Sequence, residues 1–95
     1  MAARLEVFLV TPERDLWSGE ASMVIARGTE GEVGILRGHA PMLIRLADGL
    51  LRVQHDGREL RAMVHGGFMH VTTGEEVTRV DVLADAAELE REAGT

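Results

Sequence analysis

The chain has 95 residues, no cysteine, and 16 acidic side chains against 10 basic ones, all of them arginine, for a formal charge of −6. That length holds one domain with one modest core, burying roughly 60–65% of the unfolded chain's surface. Without cysteine there are no disulfides, thiolate metal sites or cysteine nucleophiles, and without lysine there is neither Schiff-base chemistry nor the phosphate-gripping residue of a Walker loop. The acidic balance, with arginines scattered from Arg4 to Arg91, opposes nucleic-acid binding. Apolar runs such as Val7–Val10 and Met42–Ile44 are too short to span a bilayer, and the N-terminus lacks the apolar stretch of a signal peptide.

In chain order, Leu5–Val10 reads as a first strand ended by Thr11-Pro12. Asp15–Ser18 is a short extended piece, Gly19 interrupts it as a bulge or crossing point, and Glu20–Arg27 makes the next strand. Gly28, Gly31, Gly34 and Gly38 then shape a loop-rich segment carrying Glu30, Glu32, Arg37 and His39, with a short strand over Glu32–Leu36. Pro41 makes Ala40 extended and leads into a strand over Met42–Ala47. Asp56-Gly57, between Leu50–His55 and Arg58–His65, suits a type I′ turn and predicts a hairpin. Leu60, Ala62 and Val64 alternate with Arg61, Met63 and His65 as on a half-buried strand. Gly66-Gly67 separates that arm from a strand over Phe68–Thr73, and Gly74-Glu75 turns into another over Glu76–Leu83. Asp85 followed by Glu88 reads as a capping box opening a helix of about two turns, stopped by Gly94. The expected architecture is all-β: a sandwich of short, mainly antiparallel strands over residues 1–84 and a short helical stub over 85–95.

Chemistry has little to work with. His65 and His70 flank Gly66–Met69, but a metal site needs three or four converging ligands. Ser18 and Ser22 stand in no nucleophile-elbow context, and Glu30 and Glu32 beside glycines read as solvated acids. The glycine spacing is not G-x-G-x-x-G, so a phosphate cradle is unsupported. From the residues alone, the Gly28–Leu43 segment is either a docking surface or an ordinary long surface loop.

Several runs, taken in order, carry a family resemblance: Val10-Thr11-Pro12-Glu13, Leu16-Trp17-Ser18-Gly19-Glu20, Gly28-Thr29-Glu30-Gly31-Glu32-Val33-Gly34-Ile35-Leu36, and Gly38-His39-Ala40-Pro41. With His65-Gly66-Gly67-Phe68 and Val82-Leu83-Ala84-Asp85-Ala86-Ala87-Glu88, the chain resembles the epsilon subunit of bacterial F-type ATP synthase over nearly its whole length. The resemblance implies a non-catalytic β-sandwich in the central stalk, without cofactor or metal, peripheral to the cytoplasmic face of the bacterial cell membrane. Its implied partners are the gamma subunit and the polar loops of the c-ring. The implied ring contacts are Glu32, Gly34 and His39, with Glu32 pairing a basic loop and His39 donating a hydrogen bond or sensing pH; the implied gamma contacts are Met42, Leu43 and Ile44. Arg37 stands where the family usually has proline. Most of the resembled family continues into a two-helix hairpin that can bind ATP and inhibit ATP hydrolysis; these 95 residues do not reach it, so neither property is carried over. The competing expectation is a free-standing β-sandwich interaction module serving another partner.

Overall fold

The computed structural model describes residues 2–90 and 93–94. Nine strands are present among them: β1 Arg4–Val10, β2 Asp15–Ala21, β3 Met23–Gly28, β4 Gly31–Ile35, β5 Met42–Arg45, β6 Gly49–His55, β7 Arg58–Thr73, β8 Val77–Leu89 and β9 Ala93–Gly94. Hydrogen bonds join them in the order β2-β1-β8-β7-β6-β3-β4, and β5 and β9 also pair with β7. All pairs are antiparallel except β1 with β8.

This hydrogen-bonded path folds into a β-sandwich because its two longest strands each belong to both layers. The second half of β7, from Gly67, pairs with β5 and with Thr78–Ala84 of β8; the first half pairs with β6 and with Ala86–Leu89. One layer therefore holds β2, β1, the start of β8, the end of β7, and β5. The other holds the end of β8, the start of β7, β6, β3 and β4.

The burial pattern marks the switch. In β7 the inward positions are Leu60, Ala62 and Val64 before the Gly66-Gly67 pair, and Met69 and Val71 after it, so the parity changes from even to odd. In β8 they are Thr78, Val80, Val82 and Ala84, and then Ala87 packs against the core, again a change of parity. A strand with strict alternation would turn its apolar side to water beyond that point. Both glycines have positive φ, 71° at Gly66 and 112° at Gly67, which other residues resist. At Gly67 a Cβ would also collide with the backbone of Leu83 and Ala84.

The core lies between the layers. Leu5, Val7 and Leu9 of β1 and Val80 and Val82 of β8 face Val24 of β3, Ile35 of β4 and Val53 of β6, all fully buried. Three further segments carry the chain between layers. Ser22 does so between β2 and β3, its N–H and hydroxyl both donating to the Gln54 carbonyl. Leu46 and Ala47 do so between β5 and β6, donating to the Gly67 and Arg27 carbonyls. The third is the loop over 36–41.

The hairpin predicted at Asp56-Gly57 is present: His55 pairs with Arg58, and the two turn residues have φ of 50° and 71°. Other boundaries differ from the sequence reading. Gly19 is no crossing point; it pairs with Val7 inside β2 under the folded-over indole of Trp17, and the strand expected over Glu20–Arg27 is divided at Ser22 instead. The arms expected on either side of Gly66-Gly67 are one strand. Asp85–Leu89, expected to open a helix, continue β8, because this edge of β7 needs backbone partners that two isolated helical turns would not supply. Residues 91, 92 and 95 of that expected stub lie outside the described residues.

Gly67→Ala is expected to lower the unfolding free energy by at least about 2 kcal/mol in urea titration, from backbone collision and strain together. Gly57→Asn, in open space at a turn that tolerates the left-handed region, is expected to cost under about 1 kcal/mol.

Candidate functional site

β4 is an edge strand, and alternation sends Glu32 and Gly34 outward, opposite Arg27 and Ile25 of β3, while Ile35 anchors it in the core. Gly28 pairs with Gly31, so Thr29 and Glu30 form the tip of a tight hairpin. The tip leans on β5, with the Thr29 N–H donating to the Arg45 carbonyl at 3.0 Å. A groove of about 340 Å³ runs between these elements, walled by Gly28–Val33 on one side and Leu43–Arg45 on the other. The structure thus brings Glu32 together with Leu43 and Ile44.

It does not bring Glu32 to His39. His39 lies beyond the opposite end of β4, and the strand between Glu32 and Ile35 alone spans about 10 Å. The His39 ring Nδ1 is 2.8 Å from the Ala40 carbonyl. A carbonyl only accepts, so Nδ1 carries a proton and Nε2 is the ring nitrogen turned away from this bond. Arg37, the departure from the family pattern, donates to the Ala3 carbonyl at 3.2 Å and so ties the loop to the segment before β1.

β5 divides the three residues expected at the gamma contact. Met42 and Ile44 are half-buried against the core, whereas Leu43 is 65% exposed. Strand register shows what surrounds Leu43. Across the outer face of its layer, Arg45, Phe68, Leu83 and Val10 form one cross-strand row, and Leu43, His70, Asp81 and Phe8 form the next. Phe68 and Leu83 are directly opposite each other and 43% and 47% exposed. Leu43 sits diagonally from Phe68, within reach of a large ring. Cations border the patch: the Arg45 guanidinium lies 5.5 Å from the Phe68 ring centroid and that of Arg79 4.0 Å from the Phe8 ring. Arg79 is held by two-pronged hydrogen bonds to Asp81. The result is an apolar patch with a charged rim, the composition of a docking surface. Phe68 and Leu83 were missed in the sequence because the parity switch that sends them outward is invisible until β7 and β8 are paired.

His65 and His70 lie in different layers on either side of that switch, and no group of three or more potential metal ligands converges among the described residues. His65 instead binds Glu88 across the β7–β8 ladder at 2.9 Å. The hydrogen bond and charge of Glu88 raise the His65 pKa above its ordinary 6.5, with Asp48 adding to the effect.

Residues 4–90 match the family described as ATP synthase, Delta/Epsilon chain, beta-sandwich domain. The chain belongs to this family. The ATP synthase epsilon chain of Thermobifida fusca is 52% identical over 97% of this chain and 67% of its own length. That of Frankia casuarinae is 46% identical over 90% of this chain and 96% of its own. Among solved structures, a chain of the Euglena gracilis mitochondrial ATP synthase (OSCP/F1/c-ring) superposes with a TM-score of 0.82 at 29% identity, covering 94% of this chain and 55% of that one. A chain of the Tetrahymena thermophila central stalk and c-ring gives 0.68 at 19% identity and shares the fold. The family assignment draws on the entire sandwich, including the hairpin tip and the Gly-Gly switch.

Because the folded pKa of His65 is raised, its bond to Glu88 stabilises the protein fully below about pH 6.5 and that contribution fades as pH rises through the raised value. NMR titration is expected to place His65 above its ordinary range, and Glu88→Gln to return it there.

Proposed function

We propose that this chain is a rotor subunit of a proton-translocating F-type ATP synthase, linking gamma to the c-ring at the foot of the central stalk. The family match supports this reading, and the observation that carries the contact is the exposed patch of Leu43, Phe68 and Leu83 across two neighbouring rows. That face is rigid, because every residue in it is held by the ladder on both sides or packed beside one that is. It faces gamma in this proposal, with Leu43 as the exposed contact and Met42 and Ile44 supporting it from the core side.

The c-ring is met by the β4 edge. Glu32 supplies a charge for a basic loop, and Gly34 keeps the edge flat for close backbone approach. His39 stands at the far end of that edge, where the loop runs into β5, at the seam between the two contacts. No helix among the described residues is long and apolar enough to cross a membrane. In this proposal the chain is held at the cytoplasmic face through these partners. The work is mechanical: torque passes through a stiff sandwich, and the bond-making happens elsewhere in the machine.

Leu43→Asp with Phe68→Ser is expected to weaken binding to cognate gamma by about 10- to 100-fold in titration calorimetry, since both changes put polar groups where apolar area is buried. Retained affinity, or capture of an unrelated partner from membranes in place of gamma, would favour the free-standing module. Glu32→Arg is expected to reduce association with the ring-bearing complex several-fold at low salt, the difference closing as ionic strength rises. Salt-independent association in that variant would mean that Glu32 is only solvated.

A further inference from the structure

Thr78 is a fully buried polar side chain in a position that the alternation of β8 gives to the core. A buried hydroxyl needs partners, and the partners here are not confined to its own sheet. The Gly38 N–H donates to Thr78 Oγ1 at 2.7 Å, across forty residues of sequence. Thr78 Oγ1 also lies 3.2 Å from Thr73 Oγ1, its opposite number in the last pair of the β7–β8 ladder. Thr73 Oγ1 in turn contacts the His39 carbonyl.

These contacts have one consistent direction. A carbonyl only accepts and a hydroxyl has one proton, so Thr73 spends its proton on His39. Its oxygen is then left to accept from Thr78, whose own oxygen accepts from Gly38. The chain runs Gly38 N–H to Thr78, Thr78 O–H to Thr73, and Thr73 O–H to the His39 carbonyl. It begins and ends on consecutive residues, so both the amide entering Gly38 and the carbonyl leaving His39 are pinned to the end of a core hairpin.

We propose that Thr73 and Thr78 are positioning residues: a two-hydroxyl relay that sets the pose of the His39 loop for its contact with the rotor. Gly38 has a φ of 83°, a conformation that the loop would leave readily without an anchor. The His39 ring is fixed by its own bond to Ala40, so the backbone pose decides where Nε2 points. Arg37 holds the other end of the turn through the Ala3 carbonyl. Serine and threonine suit both relay positions; valine, of the same shape, breaks the chain. The functional half of the proposal rests on the reading that this loop faces gamma and the ring.

The test uses the full chain and two readouts. Amide hydrogen exchange at Gly38, followed by NMR, is expected to accelerate on the order of tenfold in Thr78→Val, the loss of one partly buried hydrogen bond, and to return to within about twofold in Thr78→Ser. Thr73→Val, which leaves the Gly38 bond without its second link, is expected to give a smaller acceleration that Thr73→Ser reverses, and it serves if Thr78→Val does not fold. A folded valine variant with unchanged Gly38 exchange, or a serine variant that fails to restore it, overturns the relay. Association with a purified gamma–c-ring complex is the second readout, expected to weaken in the valine variants and recover in the serine ones. Accelerated exchange with unchanged association overturns the rotor-facing reading of the loop while the relay stands.

Discussion

Two long strands that each serve both layers of a sandwich must turn their apolar side over part-way, and the rest of this structure depends on where they do so. A peptide ladder imposes strict alternation, and strict alternation would expose one half of β7 if the other half is buried. Gly66 and Gly67 relieve that conflict with two positive-φ residues, one of them so close to the neighbouring backbone that no side chain fits. The pairing register is the same before and after the switch, since His65 pairs with Ala86 and Gly67 with Ala84. The ladder therefore continues while the faces exchange. That keeps the two layers covalently and hydrogen-bond continuous, a stiff arrangement suited to a part that passes force.

The same switch creates the candidate contact face. Just beyond it, the outward positions of β7 and β8 are Phe68 and Leu83, with Leu43 of β5 and Val10 of β1 beside them. At the other end of that face, the rows become charged through Arg79 and Glu6. Polarity thus grades along one side of the sandwich, and the β4 edge with Glu32 rises next to it across a shared groove. The two proposed contacts are neighbours at the hairpin tip and meet again at the His39 loop, where the buried Thr78 and half-buried Thr73 hydroxyls hold the backbone.

Much of this was legible in the residues. Asp56-Gly57 announced its turn by needing two positive-φ positions, and Leu60, Ala62 and Val64 announced their inward side by alternation. The Gly28–Leu43 segment reads as either a docking surface or an ordinary surface loop, and in the fold its Glu32 and Gly34 lie outward on an edge strand. What local pattern could not supply was any decision that depends on a partner strand. Gly19 reads as a break, but the indole of Trp17 covers it inside a continuous strand. Asp85–Leu89 read as a helix start because capping residues are visible locally, while the open edge of β7 that recruits them is not.

The sequence by itself determined the class of fold, the turns and the family, because these follow from spacing, special backbone conformations and runs of residues that stand next to one another. Only the tertiary structure decided that Met42 and Ile44 face the core while Leu43 faces out with Phe68 and Leu83, and that Thr73 and Thr78 grip the loop bearing His39. The physical reason is that a strand's alternation says which residues share a side, but not which side is buried. That choice is made by what the strand packs against, and here the packing partners lie tens of residues away.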